Sequence, residues 1–98
     1  MKYYPVGTVV RLYGGTKRVM IDGYATIDQS DPARIYDYSG VLYPEGSLSS
    51  DQTLLFDHKQ IEEVFFIGYT DREQKDFMEK LEKIREEEKS FYPAGLDY

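Results

Sequence analysis

The stretch Pro5 to Tyr24, PVGTVVRLYGGTKRVMIDGY, constrains the fold more than any other part of the chain. Two runs rich in β-branched residues flank Gly14-Gly15, a pair able to take the positive φ angles of a tight turn, so the segment predicts a β-hairpin. With Gly14 and Gly15 as a two-residue loop, Val10 faces Val19 and Leu12 faces Lys17. Val10, Leu12, Val19 and Ile21 then share one face, and Val9, Arg11, Tyr13, Arg18 and Met20 share the other. A four-residue loop leaves these faces unchanged.

The rest of the chain extends this start into a small β-rich domain. The second strand is expected to continue past Gly23, where an interior glycine suggests a bulge or close backbone approach, towards Ile27. Asp28 to Ala33, DQSDPA, gathers turn formers around a proline and reads as an exposed loop. A third strand follows from Ile35 to Tyr43, with Tyr36, Tyr38, Gly40 and Leu42 on one face and Asp37, Ser39, Val41 and Tyr43 on the other. Pro44-Glu45-Gly46 ends it, and a short fourth strand is expected over Thr53 to Phe56. Asp57 with Gln60 has the spacing of a capping box on one helical turn, with Ile61 reaching Val64 or Phe65 at helical spacing. Val64-Phe65-Phe66-Ile67 is apolar on both faces, the pattern of a core strand buried from two sides, with Gly68 marking a close approach to another element. On that reading, truncating Phe66 to Ala costs about 3 to 5 kcal/mol.

Thr70 with Glu73 forms a second capping-box pattern, and Asp71 to Lys89 is rich in good helix formers. Phe77, Met78, Leu81 and Ile84 make a narrow apolar stripe, with Phe77 and Leu81 expected to pack on the sheet. Glu86, Glu87 and Glu88 oppose the macrodipole at the helix end, so fraying is expected there. The expected architecture is α+β: a single domain over 1–98, holding a small twisted antiparallel sheet or SH3-like barrel of about five strands over 5–69 and one long C-terminal helix over 71–89. A flexible aromatic tail over 90–98 either folds back on the sheet or meets a partner.

At 98 residues the chain supports one modest core, burying about two-thirds of its unfolded surface. Its formal charge of -6, from 12 basic and 18 acidic residues, opposes binding to nucleic acid and anionic lipid. A partner with a basic or apolar docking surface fits better. There is no cysteine, so disulfides and thiolate metal sites are excluded. No apolar run is long enough to cross a bilayer, which makes a soluble intracellular protein the expectation. Ten Tyr and five Phe stand beside no Trp, a composition that serves either half-buried sheet positions or an interface.

The residues that could carry chemistry are few. His58, between Asp57 and Lys59, reads as a solvated turn residue that can be replaced by Ala with little effect, and no cysteine is available as a nucleophile. Asp28, Asp31 and Asp37 lack the spacing of a calcium loop, and one histidine cannot complete a zinc set. Glu62, Glu63, Glu73 and Asp76 read as a solvated acidic face rather than paired catalytic carboxylates. Gly14-Gly15-Thr16-Lys17 joins two strands, unlike a phosphate loop running into a helix. No catalytic residue, cofactor or metal ligand is assigned. Arg11 and Arg18 lie close on the outward face, where like charges cost stability unless an acid such as Asp22 or the acidic helix separates them; they also suit a partner's carboxylate. Tyr69 with Glu73, and Tyr24 with Asp28, match the short type VII export pattern, but neither sits in a helical hairpin with a Trp-x-Gly turn.

PVGTVVRLYGGTKRVMIDGY, YDYSGVLYPEG and FDHKQIEEVFFIGYTDRE together resemble, in order and spacing over Pro5 to Leu81, a small uncharacterised family of Gram-positive bacteria. Its genes commonly lie beside LXG-domain toxins of the type VIIb secretion system. The resemblance implies a cytoplasmic, non-enzymatic accessory protein, a chaperone or adaptor for an LXG toxin. The alternative is an immunity protein whose acidic surface blocks the basic cleft of a toxin domain. The expected partner is therefore a protein, with no nucleic acid, no membrane insertion and no cofactor. Arg11, Arg18, Tyr36, Tyr38, Tyr43, Phe91 and Tyr92 are the candidate contact residues.

Overall fold

The computed structural model describes residues 3–28, 30–49 and 52–87. Strands β1 (Val9–Leu12), β2 (Arg18–Asp28), β3 (Asp31–Tyr43), β4 (Leu54–Phe56) and β5 (Ile61–Phe66) are followed by helix α1 (Arg72–Glu87). They form one antiparallel sheet in the order β4-β3-β2-β1-β5. The sheet is open, so of the two expected forms the barrel is excluded. The α+β class, the five strands and the terminal helix stand.

The first hairpin keeps the expected faces. Val10 pairs with Val19 and Arg11 with Arg18, and Val10, Val19 and Ile21 are buried. Its loop is longer than two residues: the Gly15 N–H donates to the Leu12 carbonyl at 3.0 Å. Gly14 takes φ +80°, a conformation that glycine adopts without steric cost. A register shift between Ile21 and Gly23 places the bulge where the interior glycine suggested it. Beyond it, β2 and β3 pair out to Asp28 and Asp31, so the expected loop over Asp28 to Ala33 is mostly strand. β4 pairs only with Tyr38–Gly40, leaving one side of the β3 tip open, and a proline is tolerated at such a position.

Tyr3, Val10, Val19, Ile21, Ala25, Tyr38, Phe56 and Leu81 form the core cluster. Leu81 and Met78 lay α1 on this face, while Phe77 stays about half exposed with its ring beside that of Tyr24, 6.1 Å between centroids. The helix starts one residue later than its capping-box spacing suggests. Asp71 rather than Thr70 caps it, its Oδ1 accepting the Gln74 N–H at 2.9 Å.

The largest departure is at β5. Among the described residues it lies at the edge of the sheet, paired with β1 alone, and Phe65, Phe66 and Ile67 are exposed at 48%, 62% and 49%. The expected two-sided core strand is therefore an edge strand, and Phe66 and Ile67 are not core residues. The expected helical turn is also shorter, a 3-10 turn over His58–Gln60, because Ile61 already belongs to the strand.

Candidate functional site

Two groups of residues stand out, a polar network running from the core at Tyr38 and Asp37 to the surface and an apolar strip left exposed. The network begins at Tyr38, the largest fully buried side chain. Its hydroxyl accepts the Tyr4 N–H at 3.0 Å and lies 2.6 Å from Nδ1 of His58. A phenol has one proton, and the arrangement satisfying all three groups directs that proton to Nδ1. The His58 ring stacks on Tyr4, 5.1 Å between centroids and 17° between planes. The His58 N–H donates to Asp37 Oδ2 at 2.9 Å, and Arg85 on α1 donates to Asp37 Oδ1 at 2.8 Å and to the Tyr3 hydroxyl at 3.0 Å. Asp57 accepts the Asp37 N–H on one oxygen and Arg34 on the other. Gln60 returns a side-chain bond to the Asp57 N–H at 2.8 Å, the reverse bond of the capping box.

His58 is thus no solvated turn residue. It ties the 3-10 turn to the N-terminal segment and to β3, contacts made across the sheet that its charged neighbours in sequence do not disclose. Burial pushes the Tyr24 phenol up to about 12 and raises that of Tyr38 further. Both are therefore neutral hydrogen-bonding groups at ordinary pH. Each charged or polar member of this network has its partner inside the fold, which is the pattern of a structural lock.

The expected contact residues fare differently. Arg11 donates to Glu62 at 2.7 Å and to Glu63 at 3.1 Å, so β5, on the side of Arg11 away from Arg18, supplies the acid that offsets its charge, rather than Asp22 or the helix. Asp22 accepts the Ser39 hydroxyl instead, at 2.6 Å. Arg18 lies over the Tyr43 ring at 5.0 Å and Arg34 over the Tyr36 ring at 4.3 Å. Tyr43 is partly exposed and Tyr36 half-buried, whereas Tyr38 is wholly buried and offers nothing to a partner. The ladder brings Arg11, Arg18 and Tyr43 into one cross-strand row. Phe91 and Tyr92 lie outside the described residues.

The pattern missed a surface. Val6, Phe65, Phe66, Ile67 and Tyr69 are all exposed, and they cluster where β5 leaves the sheet. Gly68, in their midst, is buried. Its N–H donates to Thr8 Oγ1 at 3.1 Å, and a Cβ there would stand 2.2 Å from the Val6 carbonyl oxygen. Glycine is required by this contact, as its place after the apolar run suggested. The pinned backbone holds Ile67 and Tyr69 outward on either side. Across the sheet, Val41, Met20, Val9 and Phe66 are successive partners, an apolar row that ends in solvent at Phe66. The signal for this surface was in the sequence as VFFIGY, but an apolar run reads alike whether its cover comes from its own chain or another.

Among the described residues, no three His, Asp or Glu side chains gather as a metal ion would require, and no helix is long and apolar enough to cross a membrane. The fold and its surfaces define a small open-sheet α+β domain with a locked polar interior and an apolar edge. The chain belongs to the family described as a domain of unknown function, DUF4176, whose model matches residues 3–77. No curated protein and no solved structure matches it.

Proposed function

We propose that this protein is a non-enzymatic accessory factor that acts by binding another protein, as a chaperone or adaptor for an LXG toxin of type VII secretion, in the cytoplasm before export. The observation carrying this reading is the exposed apolar strip of Val6, Phe65, Phe66, Ile67 and Tyr69. Several large apolar side chains left exposed within one short segment, with Val6 held against it at Gly68, support an interaction surface on a small domain. The toxin class comes from the resemblance of the chain to a family encoded beside LXG proteins. The polar residues of the types that serve catalysis are engaged with one another: His58 with Tyr38, Asp37 with Arg85, Arg11 with Glu62 and Glu63.

Co-purification of the full chain with the separated LXG and toxin domains of a neighbouring gene tests the reading. Retention of the LXG domain is expected. Retention of the toxin domain alone would replace the adaptor by an immunity protein.

A further inference from the structure

The two edges of the sheet are not equivalent. β4 offers three residues and runs directly into the Asp57–Gln60 turn, which ends the edge. β5 offers six, with β1 on one side and no partner strand on the other among the described residues. Proteins usually blunt an edge of this length with lysine, proline or an inward charge, because its free N–H and C=O groups template the pairing of another strand. The Val64–Phe66 end of β5 has none of these, although register shifts at Val9/Val10 and Arg11/Leu12 interrupt its ladder with β1. We propose that β5 is a docking edge which accepts an extended segment of a partner protein by strand addition, with apolar residues alternating along that segment and a basic residue beside Glu62 and Glu63.

This rests on the protein-binding reading above and specifies how the partner is held. Three observations select a strand. First, the row Val41, Met20, Val9 and Phe66 crosses four strands and stops at the edge, so an added strand continues it with one more apolar side chain. Second, the edge is pre-organised: the Gly68 N–H bond to Thr8 and its tight approach to Val6 fix the end of β5, so docking orders little backbone. Third, Arg11 neutralises one of the two carboxylates at the other end and leaves one negative charge in excess. On a chain of net charge -6 that excess favours a basic segment, and it disfavours a second copy, which would bring two acidic edges together.

The test titrates full-length protein with a peptide alternating Val and Thr and ending in Lys on both sides, read by amide hydrogen exchange and by affinity. Alternate amides between Ile61 and Ile67 should gain protection. The same peptide with Glu in place of its terminal Lys residues should bind at least tenfold more weakly, and Phe66→Lys should abolish binding while its circular dichroism stays native. Absence of binding, equal affinity for the two peptides, or binding without protection in β5 would overturn the proposal. So would a dimer of the native chain that Phe66→Lys dissolves, which assigns the edge to a second copy. Binding gained only after Phe91→Ser with Tyr92→Ser would assign it to the chain's own tail. The LXG domain separates this proposal from the broader one. If native protein and Phe66→Lys both retain it, the adaptor reading stands and the edge proposal falls; if neither retains it while the peptide binds, the edge stands without that partner.

Discussion

The His58 corner and the Phe65–Ile67 strip invert each other. At the first, residues of polar and charged type are drawn into the fold; at the second, the longest apolar run of the strand region is left in water. The difference lies in what each segment meets. His58 has Tyr4, Tyr38 and Asp37 within reach, and its Nδ1 and backbone N–H are both matched by hydrogen-bond partners. Phe66 sits on the last strand, and among the described residues its outer side meets no further element. Polarity alone therefore ranks these two regions wrongly; hydrogen-bond satisfaction and position in the sheet rank them correctly.

Substitutions at the two regions should separate most widely at Tyr38. It is fully buried and packs on Phe56, Tyr3 and Tyr24, at centroid distances of 5.5, 5.7 and 6.0 Å. Tyr38→Ala should cost about 3 to 5 kcal/mol, seen as a shift of the urea midpoint at unchanged slope. A cost below about 1 kcal/mol would mean that the network does not hold the core. Asp37→Ala comes next. It removes the carboxylate that pairs with Arg85 and takes away the acceptor of the His58 backbone N–H, and should cost about 2 to 4 kcal/mol. Asp37→Asn, which keeps an acceptor for His58, should recover part of that loss.

Alkali probes the same corner without mutation. The folded state holds the proton of Tyr24 up to about 12, against an ordinary value of about 10 in the unfolded chain. A group whose folded value is raised stabilises the fold fully below its unfolded value and loses that contribution as pH rises towards the folded one. Thermal melts should therefore be flat from neutrality to about pH 10 and fall between there and about 12. A melting temperature unchanged across that window would show that neither phenol is held neutral by burial.

How far the sequence disclosed all this depends on the range of the contact concerned. The β1–β2 register was legible because alternation and a glycine pair are local signals, and Gly23 and Gly68 were legible because a missing side chain marks a bulge or a close approach. The β3 tip was hidden because Asp28, Ser30, Asp31 and Pro32 are turn formers that also tolerate an exposed hairpin end. His58 was misjudged because its partners lie 20 residues away at Tyr38 and 21 at Asp37. His58→Ala was accordingly expected to be silent. Loss of the Tyr38 bond and of the Tyr4 stack should instead cost about 1 to 2 kcal/mol, measurable by chemical denaturation.

The smallest effect is expected where the sequence pattern forecast one of the largest. Read as a core residue, Phe66 would lose about 3 to 5 kcal/mol on truncation. At 62% exposed it has already left most of its surface in water, so Phe66→Ala should change stability by no more than about 0.5 kcal/mol. Its consequence should appear elsewhere, as weaker binding of an apolar dye and weaker retention of a partner. Denaturation and dye fluorescence on one variant thus distinguish a strand that supports the fold from a strand that the fold displays. If Phe66→Ala cost as much as Tyr38→Ala, another part of the chain would have to cover it in solution, and the contrast between the two regions would disappear.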